Sequence, residues 1–298
     1  MPSSDYLDVK KQDFYLVQTT VDGKQIVTPR AWEDLSDMIH ISETLSLPVT
    51  EIMVEQYIQS QNISKDFAIY YELYNKYKSK YQINDILSGY WTDTLQKQAK
   101  AARFDERMSL VNILVDNVSE DIRQNNHRQK VLKQVTGDLS DIRKQSVAGR
   151  SCRPVLSAQI TRNREWYLTE QEKGLLTTAQ KNLYYDQLEF LVSYEKQLVS
   201  NDSSDFTVLE TLFCKDTALF KQDVLRIQDK LQHLFRFLEE TYGNENEILI
   251  AVSSLTGNKD CVTFINQFGC DAYFAHNKDL LYFERQQDLE QKIETIGL

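Results

Sequence analysis

The sequence has few of the residues that break helices or bind metals. Its 298 residues include 9 Gly, 4 Pro, 4 Cys and 4 His. So few Gly and Pro leave few turns, which favours long helices over a sheet of many strands. The cysteines form no Cys-x-x-Cys pair and the histidines are scattered, so the spacing typical of a metal site is absent. We therefore expect no bound metal and interpret the cysteines as reduced thiols.

Long apolar runs and an excess of positive charge are also missing. No run approaches the roughly 20 apolar residues that a membrane span needs. Residues 1–8 do not have the pattern of a signal peptide. The formal net charge of −10 argues against general nucleic-acid binding. These absences predict a cytoplasmic protein that has neither a membrane nor a nucleic acid as its partner.

No motif for nucleotide binding or catalysis is complete. Gly23-Lys24 lacks the upstream glycine of a Gly-x-x-x-x-Gly-Lys-Ser/Thr loop, and no Gly-x-Gly-x-x-Gly, Gly-x-Ser-x-Gly or His-Glu-x-x-His occurs. The run Ile113-Leu114-Val115-Asp116 matches the metal-binding strand of P-loop enzymes only superficially, because Asn117 stands where the catalytic Glu belongs. We predict that this chain has no catalytic residues of its own and is not an enzyme by itself.

The composition that remains is that of a globular protein. Hydrophobic residues make up 41% of the chain and aromatic residues 11%. Alternating residues and the turn dipeptide Asp22-Gly23 predict a β-hairpin over Phe14–Val27. Three short amphipathic helices follow it, and tyrosines lie along one side of the third. We predict a mainly α fold in which residues 1–89 form a β-hairpin and a three-helix bundle, followed by a helical-hairpin or bundle region.

Three further segments are predicted after Gly89. Residues 90–145 form a helical connector that ends in an exposed arm, with a thin apolar stripe that could face a partner helix. Residues 146–166 form a basic linker, and residues 167–298 a C-terminal helical domain. Residues 143–164 contain no acidic residue and six basic ones: Arg143, Lys144, Arg150, Arg153, Arg162 and Arg164. The linker is either a solvated loop or a contact for an acidic neighbouring surface, with nucleic acid least favoured.

Capping patterns define the helices of the last segment. Thr169-Glu170-Gln171-Glu172 is a capping box that predicts the start of a long helix, and a helix over Phe206–Tyr242 is expected to return antiparallel to it. Ile248–Val252 is ambiguous between strand and helix, and we predict a helix because no partner strand is visible. The last helix is predicted over Asn277–Ile296.

Arg30 lies at an unusual position for a positively charged residue. Thr28 is a good N-cap and Pro29 suits the first helical position, so Arg30 lies in the first turn of a helix. A cation there is locally unfavourable unless an anion binds at that helix end. The alternative is that Arg30 pairs with Glu33 or Asp34, one turn further along.

The stretch Thr28-Pro29-Arg30-Ala31-Trp32-Glu33-Asp34-Leu35-Ser36 resembles the start of the lid, the α-helical subdomain, of MoxR-type AAA+ ATPases. The resemblance continues, without motifs of known mechanism, through four further stretches: Lys65–Tyr81, Phe104–Arg107, Gly269–Asp271 and Leu280–Gln286. In that family the Arg of the Ser/Thr-Pro-Arg-Ala motif is the sensor 2 residue. The resemblance therefore implies that Arg30 contacts the γ-phosphate of a bound nucleotide.

The resemblance also implies partners, because no nucleotide-binding core precedes this lid-like segment in the sequence. ATP and Mg²⁺ would be bound only if an AAA+ catalytic core or neighbouring ring subunits supply the site. The expected role is then ATP-driven remodelling, with a von Willebrand factor A-type protein as a further partner. The alternative is a stand-alone helical scaffold or adaptor that binds no nucleotide and in which Thr-Pro-Arg merely caps a helix.

Overall fold

The computed structural model describes residues 3, 6–7, 10–20, 23–147, 151–174, 176–203, 205–243 and 246–278. These residues are mainly α-helical with one short antiparallel hairpin, which confirms the predicted fold class. Strand β1 (Leu16–Thr20) pairs with β2 (Gly23–Val27), with Val17 opposite Ile26. The helices are α1 (Pro29–Thr44), α2 (Glu51–Glu55), α3 (Gln61–Lys80), α4 (Ile83–Leu87), α5 (Asp93–Ala101), α6 (Phe104–Val147), α7 (Cys152–Glu172), α8 (Thr178–Ser200), α9 (Phe206–Tyr242), α10 (Asn246–Gly257) and α11 (Lys259–Phe268).

Residues 271–278 are also helical. The helix predicted over Asn277–Ile296 otherwise lies outside the described residues. The ambiguous segment Ile248–Val252 lies inside α10, so its prediction as helix is confirmed. Asn258 caps α11 by accepting hydrogen bonds from the amides of Asp260 and Cys261.

The chain divides into two compact units that combine distant segments. Unit 1 contains Met1–Val118, Lys230–Gly257 and Asp271–Leu298, and unit 2 contains Ser119–Asp229 and Asn258–Cys270. These units do not follow the four consecutive segments drawn from the sequence. Composition and breaker residues reveal where a chain turns, whereas they do not reveal which distant helices pack together.

The first core of unit 1 is aromatic. The Trp32 ring lies 5.7 Å from the Tyr6 ring and 5.5 Å from the Phe67 ring, measured between centroids. Two tyrosines of α3 are also buried, Tyr71 and Tyr74, and the Tyr71 hydroxyl donates to a carboxylate oxygen of Glu43 at 3.0 Å. The Tyr71 ring thus buries apolar area while its hydroxyl keeps a polar partner.

A loop between α4 and α5 packs on α9 within unit 1. Trp91 Nε1 donates to Glu240 Oε2 at 3.2 Å, and the Arg236 guanidinium lies 4.5 Å from the centre of the Trp91 ring. Gly89 has a φ of +87°, and a Cβ built there would lie 2.8 Å from Nε2 of His233. Glycine is therefore required here both by the left-handed backbone and by the close approach of the imidazole.

Unit 2 contains the residues for which an exposed arm was predicted, and that prediction is wrong. Helix α6 is continuous over 44 residues. Its stripe Val131, Val135, Leu139 and Ile142 is buried in one core with side chains of α7, α8 and α9. The stripe thus finds partner helices within this chain. The helix predicted over Phe206–Tyr242 is observed as α9, and Leu198 of α8 and Leu209 of α9 lie in the same core.

The basic linker is the second correction. Residues 152–166 belong to α7, so no irregular linker exists over that range, while Gly149 lies outside the described residues. Pro154 is compatible with this helix because it lies in the first turn, where amide hydrogens have no partner within the helix. Thr169 lies inside α7 and donates to the Glu165 carbonyl at 2.9 Å, so the predicted capping box does not open a helix. The observed capping box joins Thr177 and Gln180 at the start of α8.

Candidate functional site

The hairpin and helix α1 together determine where Arg30 lies. Thr28 has extended backbone angles and its hydroxyl accepts a hydrogen bond from the Ala31 amide at 3.2 Å, so α1 starts at Pro29 as the sequence predicts. Two residues after Arg30, Trp32 is only 3% exposed, and its indole N–H donates to the Asp13 carbonyl at 3.0 Å. Because Trp32 is fixed in the core, the first turn of α1 cannot rotate, and Arg30 lies on its solvent side.

The guanidinium of Arg30 is paired with carboxylates of its own helix. Its Nη2 lies 3.0 Å from Asp34 Oδ1 and its Nη1 lies 3.6 Å from Glu33 Oε2. The Arg30 side chain is 72% exposed. Exposed pairs of this kind contribute about 0.2–1 kcal/mol each, and salt weakens them. The ion pair weighed as an alternative is therefore present, and it is weak enough for an external anion to compete with it.

A second group of charged residues, which the sequence did not single out, is buried in unit 1. Arg107 on α6 places Nη1 3.0 Å from Oε1 of Glu247 on α10, and the Glu247 side chain is only 2% exposed. Among the described residues, Arg107 Nε and Glu247 Oε2 have no hydrogen-bond partner. The sequence gives little sign of such a pair, because an Arg and a Glu on helices usually lie on faces exposed to solvent.

Glu106, beside Arg107, accepts hydrogen bonds from Lys80 and from the Tyr81 hydroxyl. Burial by itself would raise the pKa of the Glu106 carboxyl, but these two donors outweigh it and lower the pKa. Burial and the bond to Glu106 raise the pKa of Tyr81 above its ordinary value. Lys80, Tyr81 and Glu106 thus form one charged cluster that links α3 to α6.

One carboxylate of unit 2 is buried. Asp138 on α6 accepts hydrogen bonds from Gln159 Nε2 at 2.8 Å, Asn163 Nδ2 at 3.1 Å and Gln187 Nε2 at 2.5 Å. The donors come from α7 and α8, so one carboxylate ties three helices together. Asp138 lies inside α6, which continues past it to Val147.

The described residues contain no group of three His, Cys, Asp or Glu side chains placed to hold a metal ion. In that same part of the chain, no single helix is long and apolar enough to cross a membrane. Helices α10 and α11 together, bent at Asn258, would be long and apolar enough by length and composition alone. Two neighbouring acids near the end of α9 have partners in unit 1: Glu239 pairs with His276 at 2.7 Å, and Glu240 accepts a hydrogen bond from the Trp91 indole.

Comparisons of this chain with protein-family models, with curated proteins and with solved structures find no match.

Proposed function

We propose that the hairpin and helices α1–α3 act as the lid of a MoxR-type AAA+ ATPase and that Arg30 is its sensor 2 residue. The observation that carries this proposal is the fixed first turn of α1. Thr28 caps the helix and Trp32 anchors it, so Arg30 extends from a rigid element into solvent. A group that must recognise a phosphate bound by another subunit needs this combination of a rigid backbone and an exposed side chain.

The chemistry available to Arg30 fits the recognition of a γ-phosphate. The planar guanidinium offers a fork of donors that matches two phosphate oxygens. Its pairs with Glu33 and Asp34 are exposed and weak, so exchanging them for a phosphate costs little. The P-loop, the Mg²⁺ ligands and the attacking water would come from an AAA+ catalytic core or from neighbouring ring subunits. In this proposal the chain contributes to cytoplasmic, ATP-driven remodelling, with a von Willebrand factor A-type protein as a further partner.

The second candidate is a helical scaffold or adaptor that binds no nucleotide. It is favoured by the same ion pairs, because Asp34 and Glu33 already balance the charge of Arg30 without any ligand. Here Thr28-Pro29 only starts a helix, and the exposed surface of the protein serves to bind other proteins.

An experiment in two steps, a search for a P-loop segment and then a measurement of ATP turnover, distinguishes these candidates. The coding sequence upstream of Met1 is read for a P-loop segment, and that segment is then co-expressed with the full chain. Arg30→Ala should reduce ATP turnover per folded complex by orders of magnitude, because a positioned arginine stabilises the transferring phosphoryl group. Arg30→Lys should restore turnover only in part, since an ammonium lacks the fork of donors. The change in stability should stay below about 0.5–1 kcal/mol.

The matched control is Arg103→Ala, which removes another exposed arginine of unit 1 that pairs with an acidic neighbour, Asp105. It should leave turnover unchanged. If Arg30→Ala and Asp34→Ala lower the melting temperature alike while turnover per folded complex stays constant, or if no P-loop segment exists to be co-expressed, the scaffold is the better description.

A further inference from the structure

The end of helix α1 and the residues that follow it expose a group of apolar side chains. Ile41 and Leu45 lie one helical turn apart, so they share a face of α1. Leu47 follows in the turn after the helix, and Ile52 lies in α2. These four side chains are between 49% and 72% exposed. Exposed apolar residues that lie together typically mark a site of interaction.

Backbone and side-chain contacts bring these four residues to the same end of the α1–α2 pair. The Leu47 amide donates to the Ser42 carbonyl at 2.8 Å, so the chain folds back onto the last turn of α1. The Ser42 hydroxyl donates to Met53 Sδ at 3.8 Å, which places α2 beside that same turn. Met53 is partly buried and precedes the neighbouring Ile52 toward the core. The exposed group is here called the apolar patch, and it consists of Ile41, Leu45, Leu47 and Ile52.

The segment that contains the apolar patch has charges of only one sign. Residues 31–64 include no Lys or Arg and six acidic residues: Glu33, Asp34, Asp37, Glu43, Glu51 and Glu55. Glu33 and Asp34 pair with Arg30, at the other end of α1. The remaining four acids form no ion pair within the described part of the chain. The segment therefore keeps negative charge that no cation of the protein balances.

Each of the two helices contributes an acid that borders the apolar patch. Asp37 precedes Ile41 by one turn of α1, and Glu55 follows Ile52 by three residues in α2, so each acid lies next to an apolar residue of the patch. Both carboxylates are exposed. The patch thus combines apolar area in its middle with negative charge on both helices.

We propose that the apolar patch and its acidic border bind a basic amphipathic helix of a partner protein. Charge complementarity carries this assignment. Leucines on one face of such a helix bury their side chains against Ile41, Leu45 and Ile52. Lysines or arginines beside those leucines then lie near Asp37 and Glu55, where opposite charges steer the encounter and fix the orientation.

The other occupants of an exposed apolar surface carry the wrong charge for this one. A second copy of the chain would bring the same carboxylates against each other. An anionic membrane surface and a nucleic acid are negative as well, and the net charge of −10 repels both at a distance. The proposal is independent of the role suggested for Arg30, which lies about 16 Å along α1 from Ile41.

The test uses the full chain and a fluorescein-labelled peptide of repeated Leu-Lys-Lys-Leu-Leu-Lys-Leu heptads. Two control peptides carry Glu in place of every Lys, or Ser in place of every Leu. Fluorescence anisotropy measures binding, and circular dichroism checks that each variant is folded. The patch variant Leu45→Ser, Ile52→Ser is compared with Ile69→Ser, Leu73→Ser, which changes two exposed apolar residues of α3.

A second pair of variants tests the charges. The border variant Asp37→Lys, Glu55→Lys is compared with Glu72→Lys, Asp93→Lys, which reverses two exposed acids elsewhere in unit 1. The two comparisons are independent, because one changes only apolar residues and the other only charged ones.

We expect the Leu/Lys peptide to bind more tightly than either control peptide. The patch variant and the border variant should each weaken its binding by at least about tenfold, and their matched controls by less than about twofold. Equal losses in a variant and its control, or equal binding of the Ser peptide, overturn the proposal. It is also overturned if the chain dimerises in sedimentation experiments and Leu45→Ser, Ile52→Ser abolishes the dimer, which would assign the patch to a second copy. Binding to phosphatidylserine vesicles that the same variant abolishes would assign it to a membrane instead.

Discussion

Removing one partner of the buried pair Arg107–Glu247 should destabilise unit 1 strongly. The Glu247 side chain is 2% exposed and that of Arg107 24%, so either residue left alone would be a charge with little access to water. Such a loss typically costs about 3–5 kcal/mol. Arg107 Nη1 lies 3.0 Å from Glu247 Oε1, whereas Arg107 Nε and Glu247 Oε2 have no hydrogen-bond partner among the described residues. The cost of removing both charges from water is therefore incompletely offset.

This geometry makes the effect of the double substitution opposite to that of the single ones. Glu247→Ala and Arg107→Ala should each lower the free energy of unfolding by about 3–5 kcal/mol, whereas Arg107→Met combined with Glu247→Leu should come within about 1 kcal/mol of the wild type or exceed it. Urea denaturation followed by circular dichroism measures all four proteins, with Arg103→Ala as the exposed control. If Glu247→Ala costs no more than Arg103→Ala, or if the apolar double variant is the least stable of all, the argument from burial is refuted.

Three further predictions concern other parts of the fold. Asp138→Asn should lower the free energy of unfolding in urea by about 1–3 kcal/mol, because an amide cannot accept hydrogen bonds from three amide donors as a carboxylate does. The control Asp141→Asn, at an exposed position of the same helix, should leave the urea midpoint unchanged. Gly89→Ala should destabilise by about 1–3 kcal/mol through its positive φ and the contact with His233, whereas Gly137→Ala, in a helix with open space around it, should stabilise by about 0.5–1 kcal/mol; equal melting temperatures for the two would contradict this. Burial raises the pKa of Tyr81 and of Tyr242 above the ordinary 10.0, and the hydrogen bond to Glu106 adds to this in Tyr81 and the charge of Glu247 in Tyr242. Because these tyrosines ionise at lower pH in the unfolded chain than in the folded one, their contribution to stability should be complete below pH 10 and fall as the pH rises above it. Tyrosinate absorbance should then appear together with the loss of helix.

The hairpin and α1 could be predicted because their signals are local. Thr28 and Pro29 specify the start of a helix through their own backbone preferences, and Asp22-Gly23 separates two runs of extended residues. The same is true of α11, which Asn258 and Gly269 bracket. In each case, neighbours within a few residues of one another decide the structure.

Helix α7 was missed because its local signals point the other way. Pro154, Gly149 and a run of arginines are typical of a loop, and the buried residues Val155, Leu156 and Ile160 are too few to form an obvious stripe. Their helical conformation is stabilised by α6 and α8, whose apolar residues lie far away in the sequence. A single sequence reveals the period of an apolar pattern, whereas the partner that covers it emerges only in the folded protein.

The position of Arg30 was predicted at the helix start, while its partner was left open between an external anion and its own helix. The structure places Asp34 and Glu33 beside it, as expected from residues three and four positions apart. The clusters around Asp138, Glu240 and Glu247 could not have been predicted in this way. Each joins side chains from different helices, and no spacing rule connects them.

The docking of Trp91 on α9 has a consequence for the order in which the protein folds during its synthesis. The indole and its acceptor Glu240 are 149 residues apart in the chain. At the usual rate of about 5–20 residues per second, the ribosome needs roughly 7–30 s to make Glu240 after Trp91. During that interval the loop from α4 to α5 has no α9 on which to pack, and its apolar residues face solvent or a chaperone. Unit 1 therefore completes its fold only after most of unit 2 has been made.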